Sequence, residues 1–198
     1  MWRLSATFWL VAAAMVCSGC ASSADAGSAG ASDKGFISGN GTVRVIPRSD
    51  RAQAVSFAGR TLEGRAFDVT DYRGKVVVVN VWGSWCPPCI AEAPALQQVW
   101  EQTRADGVQF VGVDSRDGLA QARAHQRRFD VTYPSVFDED GRVLLAFRGT
   151  LPPTAIPSTL VLDHAGRVAA RVLGETSAGV LRGIVDDVVA EAARSPAR

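Results

Sequence analysis

Long apolar runs alternate with polar stretches from about residue 55 onward. Residues 76–82 and 108–114 are uninterrupted, valine-rich runs, and such runs are typical of central strands buried on both faces of a sheet. Residues 159–163 and 168–173 flank a glycine-containing turn and predict an antiparallel hairpin. The pattern therefore predicts a sheet in which these four strands form the core.

Apolar residues at helical spacing separate these strands. One helix should begin at Cys86 or Pro87, because proline is tolerated in the first turn, and Gly107 should end it. Pro94 within this helix predicts a kink. Further helices are predicted at residues 119–129, 142–147 and 177–193, and shorter strands at residues 55–57, 60–62, 66–69 and 135–137. The alternation predicts an α/β fold with a mixed sheet.

The first twenty residues follow a different pattern. Met1-Trp2-Arg3 is a short positive start, and the apolar run at 4–16 is too short for a stable membrane span, so the segment predicts a secretory signal. The run closes on residues 17–20, Cys-Ser-Gly-Cys, which resembles a bacterial lipoprotein cleavage box, with Cys17 where an aliphatic residue is usual. The resemblance implies that Cys20 is lipidated; the alternatives are a plain signal peptide and an uncleaved anchor.

Residues 21–52 are rich in Ala, Ser, Gly and Asp and contain few large apolar side chains. Such a composition buries too little surface to offset the cost of ordering the chain, so it predicts a flexible tether. The expected organisation is a signal peptide at 1–20, a linker at 21–52, a single globular domain at 53–194 and a short tail at 195–198.

Composition and charge exclude one class of function. The 198 residues include 47% hydrophobic residues and carry a formal net charge of +1, with the arginines scattered along the chain. No concentrated basic surface is expected, so nucleic-acid binding is excluded. Arg123, Arg127 and Arg128 share one predicted helix and are interpreted as its solvated face.

Cysteine usage points to redox chemistry. Two of the four cysteines lie in the signal segment, so Cys86 and Cys89 form one close pair in the domain. In an exported protein such an isolated pair favours a catalytic use over a stabilising one. At a helix start the first sulfur faces unpaired N–H groups, which favour its thiolate. Cys86 is therefore the predicted nucleophile, and Cys89, expected to be less exposed, the resolving thiol.

Three other uses of a C-x-x-C pair are a zinc site, covalent haem attachment and inert packing in a core. A structural zinc site needs about four ligands, and only His125 and His164 remain, both distant in sequence. Covalent haem attachment needs a histidine directly after the second cysteine, where this chain has Ile90. An inert core pair is the third alternative, although Trp85 beside the pair suits a surface junction better.

Two motifs carry a family resemblance. Residues 75–94, KVVVVNVWGSWCPPCIAEAP, closely resemble the active-site segment of TlpA/ResA-type thioredoxin-like proteins, and the resemblance extends over most of residues 55–194. Independently, residues 155–163, AIPSTLVLD, are similar to the family's loop and strand that carry a cis-proline. The resemblance implies a thioredoxin-like fold, with a central mixed sheet flanked by helices and an N-terminal β-hairpin extension. It implies no metal and no cofactor besides the Cys86–Cys89 disulfide.

The resemblance also implies the surroundings of the cysteines. The Ile156–Pro157 bond would be cis, with backbone groups of Ile156 and the side chain of Trp85 contacting a substrate segment. The alternative is an ordinary trans proline that starts an edge strand. Pro87 and Pro88 would stiffen the active-site loop and withhold two N–H donors from the sulfurs.

One position departs from the thioredoxin pattern. Thioredoxins proper have a buried aspartate on the strand before the active site, and Asn80 stands there in this chain. Glu92 matches the acidic residue of TlpA/ResA-type proteins and lies one helical turn after Cys89. It is the candidate to take and return the proton of that thiol. The alternative is a solvated helix glutamate.

Together these features predict a lipid-anchored thiol-disulfide oxidoreductase on the extracytoplasmic face of a bacterial cell membrane. The resemblance implies reduction of disulfides in exported partners such as apocytochrome c, with electrons from a membrane thiol carrier of the CcdA/DsbD type. The alternatives are a disulfide-forming oxidase or isomerase and a non-enzymatic copper metallochaperone. A peroxidase is disfavoured, because Pro87-Pro88-Cys89 differs from the proline-threonine-cysteine signature of peroxiredoxins.

Overall fold

A computed structural model of the chain describes residues 42–152 and 154–194. The strands are β1 Thr42–Val45, β2 Ala58–Arg60, β3 Ala66–Asp68, β4 Val77–Trp82, β5 Gln109–Ser115, β6 Ser135–Asp138, β7 Ser158–Leu162 and β8 Val168–Leu173. The helices are α1 Pro87–Thr103, α2 Leu119–Arg128 and α3 Ala178–Ala193. None of these helices is long and apolar enough to cross a membrane.

Six strands form one mixed sheet in the order β1-β8-β7-β4-β5-β6. Strands β4, β5 and β6 are parallel, whereas β7 is antiparallel to β4, β8 to β7 and β1 to β8. Strands β2 and β3 form a separate antiparallel pair. The predicted α/β fold with a mixed sheet is therefore confirmed.

Strand β4 is buried along its whole length and lies at the centre of two apolar clusters. Its valines alternate between them: Val78 packs in the cluster that contains the apolar faces of α1 and α3, and Val79 packs in the opposite one. Each fully buried valine contributes roughly 1.5–3 kcal/mol. Apolar side chains therefore pack against β4 on both faces of the sheet, and this packing fixes the position of the strand end that precedes the cysteine pair.

Most predicted elements are present with their ends shifted by about one residue. One is wrong in kind, because residues 55–57 form no strand. The short helix predicted at 142–147 is present as a 3-10 helix, Val143–Phe147. A five-residue segment holds too few hydrogen bonds to sustain an α-helix alone. Pro94 lies inside an unbroken α1, and the kink at that residue stays a prediction.

The predicted linker extends too far. Strand β1 lies inside residues 21–52, where it pairs with β8 and completes one edge of the sheet. Arg51 is also part of the domain, because its buried guanidinium contacts Asp163 at 3.0 Å and Glu191 at 2.7 Å. Residues 42–52 therefore belong to the folded domain. The predicted signal segment with Cys20, and the tail at 195–198, lie outside the described residues.

Candidate active site

The cysteine pair lies where β4 gives way to α1. Cys86 and Cys89 form a disulfide. Cys86 is the N-cap residue of α1, and its sulfur accepts a hydrogen bond from the Cys89 N–H at 3.3 Å. Pro87 and Pro88 occupy the first two helical positions and have no N–H to offer. The Cys89 amide is thus the first backbone donor of the helix, and it points at the sulfur of Cys86.

Both sulfur-bearing residues are buried in this oxidised form. Cys86 is 0% exposed and Cys89 is 2% exposed, so the prediction that Cys86 is the more accessible of the two is wrong here. The disulfide packs into the apolar cluster that also contains Ile156. Trp85, directly before the pair, is 48% exposed. It is therefore a large apolar side chain that is half exposed beside the disulfide.

A second loop packs in the same cluster. The Ile156–Pro157 peptide bond is cis, which is the geometry that the resemblance implied. The loop leads into β7, which pairs with β4, so the sheet itself brings Ile156 next to the cysteines. The Ile156 N–H already donates to the Thr154 carbonyl at 3.0 Å. A substrate segment that pairs with Ile156 must therefore use its carbonyl oxygen or displace that bond.

Glu92 is buried beside the pair, which corrects the alternative of a solvated glutamate. Its side chain is 1% exposed. One carboxyl oxygen accepts from Asn80 Nδ2 at 2.8 Å and the other from the Thr176 N–H at 3.1 Å. Burial raises the pKa of Glu92 to about 8, and these two hydrogen bonds only partly oppose the effect. Around neutral pH the carboxyl therefore holds a proton.

Asn80 links three elements around this carboxyl. It is buried in β4, and its Nδ2 group donates both to Glu92 of α1 and, at 3.1 Å, to Thr159 Oγ1 of β7. An amide does not titrate in the physiological range. Where thioredoxins have an acid, this chain therefore has a group that orients the acid of the neighbouring helix.

A second buried carboxyl was missed by sequence reasoning. Asp114 in β5 lies opposite Trp82 of β4 and is fully buried. Its neighbour Asp117 accepts the Ser84 N–H at 2.5 Å in the turn between β4 and Cys86. The available signal was a charged residue at the end of an otherwise apolar run, at residues 108–114. By itself, this signal indicates only that a strand ends near Asp114.

The histidine considered for zinc has a packing role in the structure. His125 of α2 stacks on Trp82 with ring centroids 4.5 Å apart, and burial lowers its pKa. Within residues 42–152 and 154–194, no group of three or more His, Cys, Asp or Glu side chains is arranged to hold a metal ion.

Comparison with known proteins places this site in a family context. The sequence model of the AhpC/TSA family matches residues 51–171. Among curated proteins, the thiol-disulfide oxidoreductase ResA of Geobacillus thermodenitrificans is 35% identical over 121 residues, which cover 61% of this chain and 67% of that protein. The match includes most of the folded domain.

Solved structures show the same likeness. A DsbF homologue from Corynebacterium diphtheriae superposes with a TM-score of 0.69 at 32% identity, covering 77% of this chain and 96% of that one. A secreted thiol-disulfide isomerase from Corynebacterium glutamicum superposes with a TM-score of 0.71 at 29% identity, covering 78% and 96%. The predicted thioredoxin-like fold is therefore confirmed.

Proposed function

The chain belongs to the AhpC/TSA family and is a thiol-disulfide oxidoreductase, and from that premise we propose that it reduces disulfides in exported proteins. The observation that carries the proposal is the buried Glu92 carboxyl, one helical turn after Cys89. It holds a proton around neutral pH while the cysteines are joined. A protonated acid beside the oxidised pair can give its proton to Cys89 and take it back, so it supports proton-coupled thiol-disulfide exchange, and the family resemblance suggests its direction, the reduction of substrate.

The first step of the proposed reaction is attack by Cys86. In the reduced protein, the Cys89 N–H and the start of α1 stabilise negative charge on the Cys86 sulfur. The thiolate attacks one sulfur of the substrate disulfide, a mixed disulfide forms, and the other substrate sulfur leaves as a thiolate. No proton has to move on the protein in this step.

The second step needs a proton acceptor. Cys89 attacks the Cys86 sulfur, the Cys86–Cys89 bond forms, and the second substrate sulfur leaves as a thiolate. In the minority of molecules in which Glu92 is ionised at neutral pH, the proton of the Cys89 thiol passes to this carboxylate, which is then neutral, as in the disulfide form. The two electrons of the protein dithiol thereby end on the substrate, which takes up protons from water.

Partners and location complete the proposal. Apocytochrome c is the substrate that the family resemblance suggests, because its haem-binding thiols must be reduced before haem attachment. A membrane thiol carrier of the CcdA/DsbD type would return Cys86 and Cys89 to the dithiol. Lipidation of Cys20 would hold the domain at the extracytoplasmic face of the membrane, with the residues before β1 as the tether.

Trapping tests the proposal directly. Cys89→Ser keeps the attacking thiol and removes the resolving one, so mixed disulfides through Cys86 should accumulate in cells. Cys86→Ser is the matched control and should trap nothing. Recovery of apocytochrome c or another exported thiol protein with the first variant supports the proposal. Equal yields from the two variants would contradict it.

A second direction of electron flow is favoured by one comparison. The C. glutamicum protein that superposes on this chain is named an isomerase. The reduction potential separates the two functions, since thioredoxin lies near about −270 mV and the strong oxidant DsbA near about −120 mV. A value near the first supports a reductase, and a value near the second an oxidase or isomerase.

A further inference from the structure

We infer that Thr159 and Gly174 are positioning residues that tie the Glu92 carboxyl to segment 156–159, on which a substrate is proposed to dock. Each acts through one further donor, the Asn80 side chain for one and the Thr176 N–H for the other. The docking of substrate rests on the proposed function, whereas the hydrogen bonds are properties of the fold.

The first connection runs through Oε1 of Glu92. Asn80 Nδ2 donates to this oxygen at 2.8 Å and to Thr159 Oγ1 at 3.1 Å. An amide nitrogen carries two N–H groups, so each of them has one acceptor here. Asn80 is 2% exposed and Thr159 is fully buried, and water therefore does not compete for either bond. The Thr159 hydroxyl thus fixes the direction from which the amide meets the carboxyl.

The second connection runs through Oε2 of the same carboxyl, which accepts the Thr176 N–H at 3.1 Å. Thr176 lies between β8 and α3, two residues after Gly174, whose N–H donates to the Pro157 carbonyl at 2.9 Å. Gly174 has a φ of 89°, a left-handed conformation that glycine adopts without strain. A larger residue at this position would move the segment and the Thr176 N–H with it.

Both connections end on segment 156–159. Pro157 accepts the bond from Gly174, and Thr159 accepts the bond from the amide that holds Glu92. Within the β7–β8 ladder, Ser158 also lies opposite the residue that precedes Gly174. A substrate strand that pairs with the backbone of residue 156 therefore acts on the donors to both oxygens of the carboxyl.

These donors matter because they favour the ionised form of Glu92. Burial raises its pKa to about 8, and the bonds from Asn80 and from the Thr176 N–H oppose this effect. Loss or displacement of either donor should therefore raise the pKa further. The ionised carboxylate is the form that accepts the Cys89 proton in the proposed second step. The position of segment 156–159 thus affects how much of that form is present.

The other ionisable groups around Glu92 supply no cation. Glu175, in the segment before α3, adds negative charge that raises the pKa of Glu92. Tyr133 is buried and its pKa is raised, and His125 of α2, which lines the small cavity beside Cys89, has its pKa lowered by burial, so both are neutral at pH 7. None of the ion pairs among the described residues involves Glu92. The two hydrogen-bond donors are therefore the groups that oppose its burial.

A carboxyl titration of the intact oxidised protein tests both residues. The midpoint of the Glu92 ¹³C resonance should rise by about half a pH unit or more in Thr159→Val, which keeps the shape of the side chain and removes its hydroxyl. Gly174→Ala should raise the midpoint by a similar amount, and Thr159→Ser, which keeps the hydroxyl, should titrate as the wild type. A wild-type midpoint in both Thr159→Val and Gly174→Ala overturns the inference, and in one of them it removes that residue.

Gly64→Ala is the matched control for Gly174→Ala. Gly64 has a φ of 82°, lies between β2 and β3, and has open space where a Cβ would be placed. The variant therefore carries a similar backbone strain without a connection to Glu92, and its midpoint should equal that of the wild type. A rise as large as that in Gly174→Ala would assign the effect to strain in general and overturn the role of Gly174.

Amide shifts of the wild type provide a test that needs no variant, so a folding failure cannot obscure it. The ¹H shift of the Thr176 amide should follow the Glu92 midpoint, because the charge of its acceptor changes there. The Gly174 amide should follow the same midpoint, because both amides belong to one segment. A Thr176 amide that does not respond to pH over the Glu92 titration contradicts the second connection.

Mixed disulfides test the link to docking. In Cys89→Ser, Cys86 is joined either to 2-mercaptoethanol, which is too small to reach Ile156, or to a pentapeptide with valines on both sides of one cysteine. The Glu92 midpoint should differ between the two adducts by about half a pH unit. Equal midpoints overturn the link to docking. A wild type that reduces no protein disulfide, but shows the titrations above, contradicts only the proposed function.

Discussion

Asp114 and Asp163 are the same residue type, equally buried, and in opposite states of charge. Asp163 follows β7 beside the start of β4, whereas Asp114 lies opposite Trp82 at the end of β4, and they are 2% and 0% exposed. Burial alone would raise the pKa of Asp163, but the backbone N–H of Arg167 and the guanidinium of Arg51 outweigh it and hold that pKa below its usual range. Asp114 has no donor among the described residues, and burial raises its pKa to about 8, so it keeps its proton at neutral pH.

The two regions therefore use buried carboxyls for different purposes. Around Asp163, the charged form joins β7 to Arg51 and, through Arg51, to Glu191 of α3. Around the cysteine pair, Glu92 and Asp114 are the groups with raised pKa values. Burial is common to both regions, so the donors decide which carboxyl stays ionised. The ionised cluster joins Arg51, near the start of the domain, to the end of β7 and to α3. The carboxyls with raised pKa values, Glu92 and Asp114, lie in the region of the cysteine pair.

Removing the cation from the ionised cluster should have the largest effect. Arg51→Met leaves the carboxylate of Asp163 buried with one partner fewer, and breaking a buried ion pair costs about 3–5 kcal/mol. We expect a loss of about 4 kcal/mol in the free energy of unfolding at about pH 7, measured with urea. A loss below about 1 kcal/mol would show that the cluster contributes little net stability.

Replacing Glu92, the protonated carboxyl beside the cysteine pair, should have the next largest effect on the free energy of unfolding. Glu92 has a folded-state pKa of about 8, far above that of the unfolded chain. Its contribution to stability is therefore complete below about pH 4 and is lost as the pH rises towards about 8, at about 1.4 kcal/mol per pH unit. Glu92→Gln should remove this slope, which amounts to about 3 kcal/mol between about pH 5 and pH 7. Urea titrations at several pH values measure it.

The same substitution tests the mechanism. If Glu92 takes the Cys89 proton, Glu92→Gln should slow the release of substrate from the mixed disulfide by roughly 100-fold and leave the initial attack by Cys86 unchanged. Single-turnover kinetics separates the two steps. An unchanged second step would remove Glu92 from the proton transfer, whatever its effect on stability.

Neutralising Asp163 should have a smaller effect on the free energy of unfolding. The pH dependence of this effect should be opposite to that of Glu92. Its pKa is lowered on folding, so its contribution is present near pH 7 and is lost as the pH falls through the folded-state pKa. Asp163→Asn should lose about 2 kcal/mol at about pH 7, the contribution of a hydrogen bond to a charged group. In acid the variant and the wild type should converge. A difference that grows in acid would contradict the assignment of charge to this residue.

The smallest effect is expected where both charges are exposed. Arg182 and Asp186 form an i,i+4 pair on α3 at 2.7 Å, and their side chains are 36% and 52% exposed. Arg182→Met should change the free energy of unfolding by no more than about 0.5 kcal/mol, and less in high salt. This variant is the matched control for Arg51→Met. Equal losses from the two would show that burial is not what separates these ion pairs.

Local signals predicted most of the fold and the position of the redox pair. The valine run of β4, the proline-containing start of α1 and the spacing of Cys86 and Cys89 lie within one short stretch of chain. A strand, a helix start and a close thiol pair depend on neighbours in sequence, so their patterns are visible there. The short helix predicted at 142–147 is a 3-10 helix, and its type was not predicted because so short a segment carries little periodic information.

Long-range contacts account for what was missed. Strand β1 is ordered by pairing with β8, more than 120 residues later, and its own composition does not reveal that partner. The burial of Cys86 beside Ile156 likewise depends on the pairing of β4 with β7. Each of these features requires two distant segments to meet before it exists.

The sequence by itself determined the elements, the thiol pair and the carboxyl that follows it by one helical turn. Only the tertiary structure decided which carboxyls keep their charge. Asp114 lies near the end of β5 and Asp163 directly follows β7, where the turn after it supplies the backbone N–H of Arg167 as a local donor. Arg51 reaches Asp163 from 112 positions away, and in the part of the chain that the structure describes no donor reaches Asp114. Ionisation depends on the dielectric and on the donors around a group, and both are assembled only when the chain folds.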